Sequence, residues 1–186
     1  MDVRELSIVG PLLITPAKFN DERGFVSEIY SARRLEAYIG RVQFVQDNHS
    51  LSSAAGTIRG LHFQVPPFSQ GKLVRVVRGG AYDVVVDIRV GSPTFGCHLG
   101  VELTEENWAQ LWVPTGFAHG FCTLETNTEV VYKLTGVYSP AHERGIAWND
   151  PVLDIKWPMA SDKVVVSPRD RAQPLLRDLP GYFSFN

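Results

Sequence analysis

Two short stretches of this 186-residue sequence set a histidine beside glycine within an apolar run: His62 in GTIRGLHFQ (56–64) and His119 in PTGFAHGF (114–121). Histidine is the side chain whose ordinary protonation equilibrium lies nearest neutrality, so it serves as general base, as metal ligand or as a hydrogen-bonded core group. His49, His98 and His142 lie in runs that suggest only the last of these. Lys72 is a third candidate. It opens the run KLVRVV, where Val74 and Val76 share its face, an unusual neighbourhood for an ammonium unless it meets a ligand or lies at a solvated strand end.

A metal site is the first option for the histidines. PTGFAHGF resembles the second motif of the cupin barrels, P-x-G-x-x-H, but His62-Phe63-Gln64 lacks the His-x-His pair and the glutamate of the first motif. That leaves at most two histidine ligands where a catalytic zinc or iron site generally uses three protein ligands. No metal is therefore expected. Proton transfer is the second option. Strict strand alternation puts Ile58, Gly60, His62 and Gln64 on one face and Arg59 on the other, so Arg59 shares a pocket with His62 only if Gly60 marks a bulge.

The elements that must carry these side chains are β-strands. From Gln43 to about Lys133 short runs such as IRGLHFQ, KLVRVVRG, AYDVVVDIRV, HLGVELT, AQLWVP, GFCTLET and EVVYKLTGVY alternate with the turn signals VPPFSQG, RGG, VGSPTFG, VPTG and ETNT. Their spacing is that of an all-β sandwich or barrel, whose ligand sites lie in the interior or the mouth. A helix is expected at 31–40, with Ser31 as N-cap and Gly40 as stop, and EEN at 105–107 suggests one further turn. The segment from Tyr138 onward is rich in proline, tryptophan and asparagine and reads as an irregular extension over the barrel, within a single domain spanning 1–186.

Composition narrows the function. The chain is 44% hydrophobic and 20% charged, with a formal net charge of −2, which offers no general attraction to nucleic acid or anionic membrane. Any anionic ligand must be held by a local cluster of basic side chains. Cys97 and Cys122 form no CxxC motif and read as free thiols. The N-terminal apolar run is too short, and too soon broken by proline, for a signal peptide or membrane span, so a cytoplasmic location is the default expectation.

The runs QDNHS, RGLHFQ, GKLVRVVRG, DVVVDIR, SPTFG, LWVPTGFAHGF, VVYKLTGVYSP, ERGIAWNDP, IKWP and SPRD, taken together and in order, closely resemble the dTDP-4-dehydrorhamnose 3,5-epimerase family. The resemblance extends from DERGFVSE near residue 21 to SPRDRAQPLL near residue 176. It implies a jelly-roll barrel, a homodimer and an isomerase that needs neither metal nor cofactor, acting on a dTDP-4-keto-6-deoxyhexose. It further implies that His62 is the general base, oriented by Asp170, that Tyr132 is the acid on the opposite face of the sugar, and that Lys72 meets the C4 oxygen. Arg23, Glu28, Gln46, Asn48, Arg59, His119, Tyr138, Glu143 and Arg169 match the family's nucleotide-sugar contacts. Position 169 departs from the family pattern S-x-K-D, because arginine keeps the charge but not the reach or hydrogen-bond geometry of lysine. Arg75 and Arg78 read as surface charges. The same resemblance implies that an N-terminal segment crosses to the partner subunit, where Arg23 and Glu28 complete its site.

The chemistry is consistent on its own terms. Removing a proton next to a ketone develops charge on the ketone oxygen, so a cation poised there stabilises the transition state more than the substrate. Inverting a carbon requires proton removal from one face and return to the other, hence two groups across the ring. His62 and Tyr132 supply two. A relative that inverts only C3 or only C5 would carry the same motifs, and a catalytically silent sugar-nucleotide-binding barrel is the remaining alternative.

Overall fold

The structure, a computed structural model, describes residues 1–185. Its strands are β1 (Asp2–Glu5), β2 (Leu12–Thr15), β3 (Lys18–Asp21), β4 (Gly24–Ser27), β5 (Gln46–Ser52), β6 (Thr57–Gln64), β7 (Lys72–Arg78) and β8 (Gly80–Asp87). They continue as β9 (Arg89–Val90), β10 (His98–Thr104), β11 (Gln110–Val113), β12 (Phe117–Thr123), β13 (Thr128–Leu134), β14 (Glu143–Gly145), β15 (Val165–Val166) and β16 (Phe183–Ser184). Helices α1 (Ala32–Ile39) and α2 (Pro168–Arg171) complete the regular elements apart from one short 3-10 turn. Two six-stranded sheets face each other, one in the order β1-β2-β11-β7-β13-β5 and the other built on β10-β8-β12-β6-β14 with β15 added to β6. This is a cupin-like jelly roll.

The apolar pattern explains the two layers. Along β7, Val74 and Val76 point inward with Lys72, and along β13 Val130 and Leu134 flank Tyr132; Val74, Val76 and Val130 meet Val85, Phe117 and Phe121 of the opposite sheet in one buried cluster. Alternate residues of β8 and β12, Val84, Val86 and Ala118, face outward and are covered by Ile146, Leu153, Trp157, Tyr182 and Phe183 of the C-terminal segment. Burying both faces of this sheet accounts for its nearly unbroken apolar sequence. The outer face of the other sheet is covered in part by α1, whose Leu35 packs with Ile14, Leu73 and Trp112.

Helix α1 occupies the expected place one residue inside the expected ends, with Gly40 as its C-cap, but the Ser31 side chain makes no capping hydrogen bond. Residues 105–107 form a turn and not a helix. The expected irregular extension is partly strand: β14 pairs with His62, Phe63 and Gln64 of β6, and β15 with its first half. Pairing with a barrel edge made these short strands, whose own sequences carry too few residues for a periodic signal.

Strict alternation fails along β6, and this failure creates the site. Ile58 packs on the outer face with Cys122 and Trp148, and Leu61 and Phe63 also face outward three and five residues later. The inward set is therefore Arg59 and His62, separated by a register shift in the pairing of β6 with β12 between His119 and Phe121. Gly60 makes the shift feasible: its φ is +133°, and a Cβ there would lie 2.5 Å from Gly120 Cα and 2.9 Å from the His119 carbonyl oxygen. Ile58 and His62 thus lie on opposite faces, contrary to the alternating expectation.

Candidate active site

The two inward histidines are direct cross-strand partners, His62 on β6 and His119 on β12. Each Nε2 meets a different carboxylate. His62 lies 2.6 Å from Asp170 Oδ1, and His119 lies 2.8 Å from Asp83 Oδ1. Among the described residues no group of three or more His, Cys, Asp or Glu side chains gathers into a metal-binding cluster.

Asp170 reaches His62 because of the local sequence Ser-Pro-Arg-Asp. Ser167 Oγ accepts the Asp170 N–H as an N-cap, and Pro168 begins α2 at a position that needs no N–H. The Asp170 residue is 4% exposed, and its second oxygen accepts a long bond from the Gly60 N–H at 3.4 Å. Burial alone raises a carboxyl pKa, but the hydrogen bond and charge of His62, with the Gly60 and Ser167 bonds, outweigh it and hold Asp170 below its ordinary value.

Lys72 opens β7 on the inner face and is only 9% exposed, so it is not a solvated strand end. Its Nζ donates to the His62 carbonyl oxygen at 3.2 Å. Burial pulls the ammonium down to about 8 despite the opposing charges of Asp83 and Glu143. Burial likewise lowers the His119 pKa and favours its neutral imidazole, Asp83 opposing and Lys72 and His62 reinforcing the shift.

Tyr132 projects from β13 in the facing sheet, and its hydroxyl accepts from Asn48 Nδ2 at 3.2 Å across the β5–β13 pair. Asn48 Oδ1 in turn accepts from Gln46 Nε2 at 2.9 Å, and Gln46 Oε1 accepts the Tyr138 N–H at 2.9 Å. His62, Lys72, Tyr132, Arg59, His119 and Asp170 all line one cavity of about 490 Å³ between the sheets. A smaller recess of about 130 Å³ shares His62, Lys72 and Tyr132 with it and adds Asn48, Tyr138 and Glu143. The three shared residues therefore stand where the two spaces meet.

The basic side chains at the mouth divide. Arg59 lines the cavity while its Nε and Nη2 donate to Ser52 Oγ and the Leu51 carbonyl oxygen of β5. Arg169, at the position that departs from the family pattern, forms an ion pair with Glu143 Oε2 at 2.6 Å, and Tyr138 OH donates to the same oxygen at 2.5 Å. These two partners hold the Glu143 carboxyl below its ordinary pKa against the effect of burial. Arg23 and Glu28 are not brought into this cavity. Arg23 is 81% exposed on the β3–β4 hairpin and binds Asp21, and Glu28 pairs with Arg34 at 3.1 Å.

Some sequence expectations need correction here. Arg75 is not a simple surface charge: it is half-buried in a groove on the outer face of the β7–β13 sheet, 4.9 Å from the Trp108 ring, and burial lowers its pKa. Arg78 is exposed, as expected. His49 pairs with Glu129 and His142 with Ser139, each satisfied outside the cavity. Asp83 was not singled out from the sequence at all, although a carboxylate alternating with Ala81 and Val85 on a core-facing strand was a legible signal. The other buried aspartate of β8, Asp87, has a structural role: Arg89, Ser92 and Thr94 all donate to it and hold its pKa at about 2.

This jelly-roll barrel places a histidine–carboxylate pair, a tyrosine from the facing sheet and a buried ammonium around one cavity, groups chemically able to take up and return protons. A family model described as dTDP-4-dehydrorhamnose 3,5-epimerase matches residues 5–178. A protein of that name from Sinorhizobium fredii is 50% identical over 185 residues, covering 100% of this chain and 94% of its own. The crystal structure of a dTDP-6-deoxy-D-glucose-3,5-epimerase from Legionella pneumophila, in complex with dTDP-4-keto-L-rhamnose, superposes with a TM-score of 0.94 at 42% identity, covering 100% of this chain and 98% of that one. A dTDP-4-dehydrorhamnose 3,5-epimerase from Bacillus anthracis with TDP and PPi bound gives 0.90 at 48% identity, covering 94% and 98%. The chain belongs to the dTDP-4-dehydrorhamnose 3,5-epimerase family.

Proposed function

We propose that the protein converts dTDP-4-keto-6-deoxy-D-glucose to dTDP-4-keto-L-rhamnose by inverting C3 and C5. The observation that carries this reading is the placement of His62 and Tyr132 on opposite sheets around one cavity, with the Lys72 ammonium lining the same cavity and bonded to the His62 carbonyl oxygen. His62, oriented by Asp170, takes the proton from the carbon next to the ketone. Charge then develops on the C4 oxygen, where Lys72 stabilises it in a site largely removed from water. Tyr132 returns a proton from the other face. Because C3 and C5 both flank the same ketone, one set of groups serves both carbons if the sugar turns between steps.

Arg59 is assigned to the diphosphate, for which a planar guanidinium is suited to bidentate bonding. The exposed β3–β4 hairpin supports a homodimer in which the partner's Arg23 and the partner's Glu28 complete the nucleotide site. Phe19, Phe25 and Val26 of that hairpin are exposed apolar side chains, a surface that association would cover.

Turnover in D₂O tests the assignment, since each inverted carbon must regain its hydrogen from solvent. Incubation with dTDP-4-keto-6-deoxyglucose, followed by NMR, is expected to show deuterium at both C3 and C5. Label at one carbon alone overturns the double inversion in favour of a single-site epimerase. Binding without label overturns catalysis.

A further inference from the structure

Asp83 lies at the centre of the barrel with no direct place in the proton transfers just described. It is 1% exposed and sits on β8 between the inward-facing Ala81 and Val85, cross-strand from Phe121 and Val101. One carboxylate oxygen meets His119 Nε2 at 2.8 Å. The other, Oδ2, is buried and has no hydrogen-bond partner among the described residues. Leaving a buried carboxylate oxygen unpaired is destabilising, so its retention calls for an explanation.

Lys72 supplies one. The charged and titratable groups packed around it are Asp83 on β8, Glu143 on β14, His62 and His119 on the two strands between, and Tyr132 on the adjoining β13. Glu143 is already engaged by Tyr138 and Arg169 at the mouth. Asp83 is the deep carboxylate of the group, held by a single bond to His119. That bond also has a chemical consequence for the imidazole, because a neutral histidine that donates from Nε2 keeps a lone pair on Nδ1. Among the described residues nothing bonds His119 Nδ1, and His119 lines the cavity.

We propose that Asp83 is a positioning residue for the epimerisation, fixing His119 as its Nε2–H tautomer so that Nδ1 accepts from a sugar hydroxyl, and placing its carboxylate one cross-strand step, through His119 and His62, from the carbonyl that Lys72 bonds. This rests on the functional reading above. Burial works against the Lys72 ammonium, and of the charges that oppose it Asp83 acts most strongly. Without Asp83 the ammonium gives up its proton at lower pH, and less of the enzyme carries a cation to meet the enolate oxygen. The effect belongs to the transition state and should appear in kcat more than in KM.

The test compares wild type with the isosteric, neutral Asp83→Asn across pH. Wild-type activity is expected to decline as pH rises through about 8, with Lys72. The variant should lose roughly tenfold or more in kcat with KM within about threefold, and its alkaline limb should move down by roughly half a pH unit or more. A folded variant whose alkaline limb stays in place, whatever its activity, overturns the charge-setting role, since a purely structural aspartate leaves that limb unmoved. If the variant does not fold, ¹⁵N NMR of the wild-type imidazoles decides: a proton on His119 Nε2 with Nδ1 bare supports the proposal, and an Nδ1–H tautomer or an imidazolium at neutral pH overturns it. Because the NMR reading needs no turnover, failure of the substrate assignment and failure of this proposal are distinguishable.

Discussion

Replacing Asp170 by asparagine keeps the shape of the side chain, and Oδ1 can still accept from His62, but the negative charge is lost. On the proposed mechanism that charge stabilises the imidazolium formed when His62 takes a proton, across a bond of 2.6 Å from a side chain only 6% exposed. Hydrogen bonds to charged groups contribute about 1.5–3 kcal/mol. At about 1.4 kcal/mol per decade the variant should lose roughly 10- to 150-fold in kcat, with affinity for dTDP nearly unchanged because the residues proposed to hold the nucleotide lie elsewhere. Stability supplies an independent check with a definite sign. The folded pKa of Asp170 is depressed, so its contribution is present above the unfolded value and is lost as pH falls through the folded one. The stability advantage of wild type over Asp170→Asn should therefore be full near neutrality and shrink below about pH 4. Steady-state kinetics and thermal melts at several pH values read both effects. Turnover within a factor of about two of wild type would falsify the assignment of Asp170 as the partner of the base.

His62→Ala should remove about 10²- to 10⁴-fold of turnover while leaving dTDP binding measurable by calorimetry, and retention of a few tenths of wild-type activity would exclude His62 as the base. Gly60→Ala must place a Cβ 2.5 Å from Gly120 Cα in a backbone conformation with φ +133°, so a loss of roughly 2–3 kcal/mol and a clear drop in Tm are expected; an unchanged Tm would show that the strands separate easily there. Sedimentation at micromolar concentration should give about twice the 20.7 kDa chain mass, and an inactive His62→Ala chain mixed with an inactive Arg23→Ala chain should regain activity if the hairpin serves the neighbouring site. Mixtures no more active than their components count against the exchanged hairpin.

The barrel was legible because its strands carry regular apolar alternation and its turns carry glycine and proline. The site was legible only in part. His62 and Lys72 stood out as polar groups in apolar strands, whereas Tyr132 reads as an ordinary strand-core aromatic without the family resemblance, and the sequence alone could not choose between a solvated and a buried Lys72, since both place it at a strand start. The phase of β6 depended on Gly60, whose effect is decided by the close approach of Gly120 on another strand. Asp83 was legible as a core-facing carboxylate from its alternation with Ala81 and Val85, but its partner His119, 36 positions away, was not. Asp170 came from the family resemblance, not from any local pattern, since its partner lies 108 positions earlier.

That separation bears on how the protein becomes active as it folds. Apart from the two-residue β15, the strands of the two large sheets end with β14 at Gly145, but the carboxylate that bonds His62 arrives on α2, beyond a stretch with little regular structure. The residues after α2 then run across the back of β6, where Tyr182 and Phe183 pack their rings 5.8 and 6.2 Å from that of Phe63, the immediate neighbour of His62. Loop closure over such a distance follows local strand pairing in cost and in time. Turnover is thus a reporter of the tail's docking, whereas circular dichroism reports the sheets. On dilution from denaturant, activity can return together with the strand signal or after it, but not before.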